Sequence, residues 1–250
     1  MAQHSRIECT DHTFNGWWGC TTISPGCDYC YAETWDWRLG GAHWGAHAPC
    51  RVMSDAYWRQ PLRWNAILHP EGRPWRVFCA SMADVFDNQA PPGQRERLWA
   101  LIRATPNLEW LLLTKRPQNL SPLLPPDWGE GYPNVRLGIT VENPTEAERR
   151  IPRLAAVPMR LAPFLSCEPL LAPLDLTPFL ERIGWVIVGG KSGPRARPML
   201  PAWVIALWDQ CAQAHVPFFF KQWGGPNKKQ AGRLLDGRIE AAFPVDALAR

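Results

Sequence analysis

The chain has no run of about eighteen apolar residues, so no stretch reads as a membrane-spanning helix. Its first residues, MAQHSRIECTDHT, also lack the apolar core of a secretory signal. Both absences lead us to expect a cytoplasmic protein with no membrane partner. Lysine is scarce, with 5 Lys against 22 Arg. That bias suits phosphate recognition by the guanidinium fork, but a GC-rich coding sequence produces it equally well. The full G-x-x-x-x-G-K-[ST] spacing is missing around VGGKSG, which excludes a P-loop nucleotidase. No internal repeat is present beyond an alternation of apolar runs and connections.

At 250 residues and 46% hydrophobic content, the chain suits one α/β domain of barrel size. We expect a single domain over 1–250 with an irregular Gly/His/Trp-rich insertion at about 38–74. A helical stretch is expected within it from Asp55 to Leu68. The formal charge of +4 permits a nucleic-acid partner without requiring one. The 15 tryptophans serve either packing or stacking on bases. Eight cysteines at irregular intervals, in a chain with a large core and no export signal, favour free thiols or metal ligands over disulfides. Cys79, Cys167 and Cys211 sit in apolar runs and read as small hydrophobic residues.

The stretch WWGCTTISPGCDYCY, from Trp17 to Tyr31, concentrates the chemistry. Cys20, Cys27 and Cys30 are spaced C-x6-C-x2-C, and Ser24-Pro25-Gly26 turns the chain between the first two. Thiolates suit zinc, copper(I) or iron-sulfur clusters. A structural zinc wants four protein ligands, whereas a four-iron four-sulfur cluster held by three cysteines leaves one iron open. Cys9 and His12 are the candidates for a fourth zinc ligand. His43 and His47, four apart, lie among glycines that argue against a helix.

Three clustered cysteines with an aromatic, Tyr29, before the third resemble the cluster loop of radical S-adenosylmethionine enzymes. The first gap is six residues here and three in the usual pattern. A longer resemblance, carried by TFNGWWGCTTISPGCDYCYAE, LLLTKRP, LGITVENP, FLSCEPLL, WVIVGGKSGPRARPM and PFFFKQWGG, is to phage and bacterial three-Cys-motif proteins of undetermined function. Cys9 stands where that pattern has Trp, and Lys191 where it has Glu. The resemblance implies a [4Fe-4S] cluster on Cys20, Cys27 and Cys30, S-adenosylmethionine on the open iron, and Tyr29 near its adenine. It also implies a reductant supplying one electron, and it leaves open whether a partner protein is needed.

From Trp75 onward the runs RVFCASMAD, LEWLLLTKR, VRLGITVEN, RLAPFLSCEP, GWVIVGGKSG and VPFFFKQWG are continuously apolar, as strands buried on both faces of a parallel sheet are. With a short strand leading into Cys20 they make about seven βα-like units, hence a complete or partial (βα) barrel, with an open doubly wound sheet as runner-up. Helical periodicity marks 93–104 and 201–214, and Pro122–Pro133 reads as a loop. Either architecture places ligands at the C-terminal strand ends. By the layout of the radical enzymes, Ser81, Met82 and Asp84 would meet the cofactor's amino group. Thr140, Glu142, Asn143 and Glu168 would serve its ribose or carboxylate, and Gly189 and Gly190 would let the backbone approach the adenosyl group. Lys115, Arg116, Arg197 and Lys221 remain for an anionic substrate, a nucleotide or nucleic acid. The function expected is hydrogen abstraction from a substrate in nucleic-acid modification or repair. The alternative is a zinc-containing nucleic-acid-binding module without catalytic activity.

Overall fold

The computed structural model describes Ser5, residues 7–226 and residues 231–244. The outermost residues of the expected 1–250 domain, including residues 1–4 and 6 of the N-terminal stretch MAQHSRIECTDHT, lie outside this set. Nine strands are present among the described residues: β1 (His12–Phe14), β2 (Trp17–Trp18), β3 (Arg51–Val52), β4 (Trp75–Cys79), β5 (Leu108–Thr114), β6 (Val135–Thr140), β7 (Phe164–Cys167), β8 (Trp185–Gly189) and β9 (Phe218–Gln222). The helices are α1 (Tyr31–Arg38), α2 (Asp55–Trp58), α3 (Gln60–Asn65), α4 (Gln94–Arg103), α5 (Leu120–Leu123), α6 (Pro144–Ala155) and α7 (Pro201–Gln213). Seven strands form one sheet in the order β1-β4-β5-β6-β7-β8-β9, parallel throughout. The sheet curls into a half-barrel, so of the two architectures expected from sequence the partial (βα) barrel is the one present. No helix of the described residues is long and apolar enough to cross a membrane.

The apolar runs are continuous because each strand packs on two sides. Leu108, Trp110 and Leu112 of β5 join Leu98, Trp99 and Ile102 of α4, Ile151 and Leu154 of α6, and Val204, Leu207 and Cys211 of α7 in the main core. The opposite row faces the concavity, where Leu111, Phe164, Trp185, Ile187 and Phe219 pack together with Cys9. Ile7, Ala241 and Phe243 pack against that group from the two ends of the described chain. Main-chain bonds hold the later segment there, from Phe220 N to the Glu240 carbonyl (2.8 Å) and from Ala242 N to the Phe218 carbonyl (3.0 Å). Cys79, Cys167 and Cys211 are buried apolar residues, and burial pushes the Cys211 thiol up to about 12.

Two local expectations change. The sheet strand preceding the cysteines is β1, while the residues directly before Cys20 form β2, paired antiparallel with β3. The Asp55–Leu68 helix is two shorter ones, because Pro61 cannot donate a main-chain hydrogen bond and begins a new turn. Ser54 caps the first of these, its Oγ accepting from Tyr57 N. Within the irregular 38–74 stretch, Tyr57, Trp58 and Trp64 pack into the main core.

Gly138 on β6 lies against the fully buried Phe164 ring, and a Cβ at that position would overlap it. Gly138→Ala should therefore destabilise the fold by about 1–3 kcal/mol through overpacking, measured as a lower midpoint in urea denaturation. An unchanged midpoint would mean that Phe164 can turn aside at no cost.

Candidate active site at the strand ends

A cavity of about 520 Å³ opens at the C-terminal ends of the sheet. Cys20, Cys27 and Cys30 all line it, and all three are free thiols. The opposite wall comes from residues at or just beyond the ends of β4 to β9: Ser81 and Asp84, Lys115 and Arg116, Thr140, Ser166 and Glu168, Gly190 and Lys191, Lys221 and Gln222. Ile7, Phe78 and Leu113 supply apolar wall.

The cysteine loop gets its shape from short-range chemistry. Pro25 starts a single 3-10 turn over Pro25–Cys27, and Cys30 stands at the entry to α1. Between them Tyr29 adopts a left-handed conformation with φ 55°, which is strained for a non-glycine residue. Tyr29 is about half exposed, its ring lying 4.0 Å from the Arg195 guanidinium.

Three charged clamps fasten this loop to the strand ends. Glu142, fully buried, accepts hydrogen bonds from Ser24 Oγ and from Gly26 N (3.2 Å) while pairing with Arg150 Nη1 at 2.8 Å. Arg150 also donates to the Thr140 carbonyl (2.7 Å) and pairs with Glu146. On the other side, Arg197 donates to the Pro25 carbonyl and pairs with Asp28 (3.1 Å), and Lys191 Nζ donates to the Asp28 carbonyl (2.6 Å). The third clamp is Arg116, buried and bridging Asp84 and Asp87 at 2.9 Å each. Its Nη2 donates to the Thr21 carbonyl (2.7 Å), and its Nη1 lies 3.7 Å from Cys20 Sγ.

Electrostatics follow from this packing. Burial and the nearby Asp84 carboxylate push the Cys20 thiol up to about 12, against the opposing pull of Arg116. Burial alone would lower the Lys221 ammonium, but Glu168, 2.9 Å away, outweighs it and holds Lys221 above its ordinary value. Lys191 is lowered, first by burial and then by the neighbouring cations Arg197 and Lys115, with Cys30 opposing.

Of the residues singled out from sequence, Ser81, Asp84, Lys115, Arg116, Thr140, Glu168, Gly190 and Lys221 share the cavity with the three cysteines. Tyr29, Met82, Glu142, Asn143, Gly189 and Arg197 are not among its lining residues. Met82 packs with Trp18 and Ala32, and its carbonyl accepts from Gly19 N (3.0 Å). Glu142 and Arg197 grip the cysteine loop, and Asn143 caps α6 by accepting from Glu146 N (3.0 Å). Gly190 answers a crowding within the fold, since a Cβ there would overlap the Trp223 carbonyl. Sequence reasoning missed Asp87, which accepts from Thr21 N (3.1 Å), and the lining residues Ile7 and Trp44. The D-x-x-D spacing of Asp84 and Asp87 just after β4 was the available signal.

Among the described residues, no group of three or more His, Cys, Asp or Glu side chains is close enough to hold one metal ion. Zinc would draw its sulfurs to about 3.8 Å of one another, given Zn–S near 2.3 Å; in a four-iron cluster each cysteine takes a different iron. Neither proposed fourth ligand reaches the cavity. Cys9 packs in the concave apolar group, and His12 stacks on Trp64 at 4.3 Å. Two buried polar atoms of the wall, Thr140 Oγ1 and Gln222 Oε1, have no hydrogen-bond partner among the described residues, which leaves capacity for a polar ligand.

The curled parallel half-barrel is the fold also seen in solved radical S-adenosylmethionine enzymes. The chain belongs to the DUF5131 family, described as protein of unknown function, whose model matches residues 4–244. No curated protein matches it. Among solved structures it is similar to spore photoproduct lyase complexed with dinucleoside spore photoproduct, at 14% identity and a TM-score of 0.54 over 84% of this chain and 74% of that one. An alanine mutant of the lyase with the same dinucleoside gives 13%, 0.55 and the same coverage. In a further mutant, with bound AdoMet and the dinucleoside, the TM-score is 0.49 and this chain spans 57% of that protein's length.

The Glu142 clamp gives a direct prediction. Arg150→Met leaves the Glu142 carboxylate buried without its cation and should cost about 3–5 kcal/mol. Ser24→Ala removes one hydrogen bond to Glu142 and should cost roughly 0.5–1.5 kcal/mol. Urea denaturation measures both, and equal losses would contradict the assignment of Arg150 as the principal partner.

Proposed function

We propose that this chain is a radical S-adenosylmethionine enzyme in which Cys20, Cys27 and Cys30 hold a four-iron four-sulfur cluster beside a cavity for the cofactor and an anionic, nucleotide-like substrate. The observation that carries the reading is that all three thiols line one cavity at the C-terminal ends of a parallel half-barrel. The likeness to spore photoproduct lyases supports the class, and the dinucleoside in those structures supports a nucleotide-like substrate. When bound, the cluster and S-adenosylmethionine supply one-electron cleavage of a carbon–sulfur bond and abstraction of a substrate hydrogen, the electron coming from an external reductant.

The chain's own residues hold and exclude. Glu142, Arg116 and Arg197 fix the loop, so that the three thiols need little rearrangement to meet their ligand. Lys115 and Lys191 stand on the wall where the cofactor's carboxylate or a substrate phosphate would be met by ammonium groups. Lys221 is compensated by Glu168, so the pair contributes a fixed dipole more than a free charge. Thr140 and Gln222 supply hydrogen bonds to sugar or base. Ile7, Phe78 and Leu113 keep water from the place where hydrogen would be transferred. Modification or repair of nucleic acid in the cytoplasm is the setting this chemistry suits, with phage-related proteins among those it resembles.

Anaerobic reconstitution with iron and sulfide tests the proposal. About four irons per chain, with an electron paramagnetic resonance signal of the reduced protein that changes on adding S-adenosylmethionine, is the expected result. Cys20→Ala, Cys27→Ala and Cys30→Ala should each lose the cluster, whereas Cys211→Ala should keep it. Stoichiometric zinc without iron, and no response to the cofactor, would overturn the proposal.

A further inference from the structure

Arg116 was expected among the substrate's phosphate contacts, and its surroundings give it a different task. The side chain is 4% exposed, and both ends of its fork are occupied. Nη1 pairs with Asp84 Oδ2 at 2.9 Å, and Nη2 pairs with Asp87 Oδ2 at 2.9 Å and donates to the Thr21 carbonyl at 2.7 Å. Asp84 is fixed in turn by Thr114 Oγ1 (2.8 Å) and Phe86 N (2.9 Å), and Asp87 by Thr21 N (3.1 Å) and Gln89 N (3.0 Å). Both terminal nitrogens of the fork are engaged by buried partners, which an incoming phosphate would have to displace. The remaining approach is to sulfur, since Nη1 donates to Cys20 Sγ at 3.7 Å, within the range for a bond to this large acceptor.

We infer that Arg116, held between Asp84 and Asp87, is a positioning residue that sets the reduction potential of the cluster through its hydrogen bond and charge at Cys20. The inference rests on the reading of Cys20 as a cluster ligand. One-electron reduction adds a negative charge to a cluster that already carries three thiolates. A guanidinium donating to one of those sulfurs stabilises the reduced form more than the oxidised form, and so raises the potential. The two aspartates act in the opposite sense. They hold the arginine in place, and their charges also oppose added electron density, so the three groups form a balance whose members push in different directions. Thr21, adjacent to Cys20, couples this network to the loop itself, because its amide and carbonyl are both engaged.

The test is a dithionite titration of the reconstituted protein, without S-adenosylmethionine, followed by electron paramagnetic resonance. Arg116→Gln should shift the midpoint to a more negative potential. Arg116→Lys, which keeps the charge but loses the fork, should shift it less. Asp87→Asn removes a carboxylate from the same network and should shift it to a less negative potential, a reversal that mere loosening of the loop would not produce. Variants that keep the cluster and titrate with the wild type would overturn the inference and leave Arg116 as a structural staple. If Arg116→Gln does not retain iron, the Lys and Asn variants decide in the same way. Failure of the wild type to take up a cluster is a separate outcome, and it would strike the proposed function itself.

Discussion

The contact between Glu142 and the Ser24–Gly26 turn joins residues 118 positions apart, and the rest of the site depends on it. The loop CTTISPGCDYC, with Ile23 and Tyr29 as its only large apolar groups, has little apolar surface with which to dock. It must be held by polar bonds, and these are strong only where water is excluded. Glu142 sits in such a place because Arg150, itself fully buried, neutralises it from α6. Arg116 repeats the principle in a buried network on one flank, while Arg197 grips Asp28 and the Pro25 carbonyl from a more exposed position on another. The cysteines are thus presented by charges drawn from three strand ends, and the loop's own turn supplies only local direction.

That division explains what the sequence made legible. Strand runs such as WLLLT and WVIVG could be read because burial on both faces is a property of each run by itself. The three cysteines could be read because their chemistry is concentrated in one short stretch. The partners of Glu142 could not, since a TVEN segment at a strand end looks the same whether its carboxylate faces a ligand or a distant loop. Arg116 shows the same limit: arginine at a strand end suggests phosphate, and nothing in its own stretch announces that Asp84 and Asp87 pair with its fork. Gly190 was legible as a close-approach position but not as to what approaches it, which is the Trp223 backbone.

The cavity wall combines two kinds of polar group. Lys191 is tied to the loop at Asp28 and Lys221 to Glu168, whereas Thr140 Oγ1 and Gln222 Oε1 are buried without partners among the described residues. A fold carries such unsatisfied atoms at a cost of about 1–3 kcal/mol each, so their presence on a ligand-sized cavity has a functional meaning that it would lack in the apolar core.

The floor of the half-barrel carries a consequence for how the protein is made. Ile7 and Cys9 meet Ala241 and Phe243 beneath the cavity, so the floor is built from opposite ends of the described chain. These are among the most distant contacts the chain makes, and distant contacts close late because the entropy of the intervening loop must be overcome first. A nascent polypeptide that has completed all seven sheet strands still lacks part of this apolar group, which is whole only once the segment after β9 has folded back along that strand.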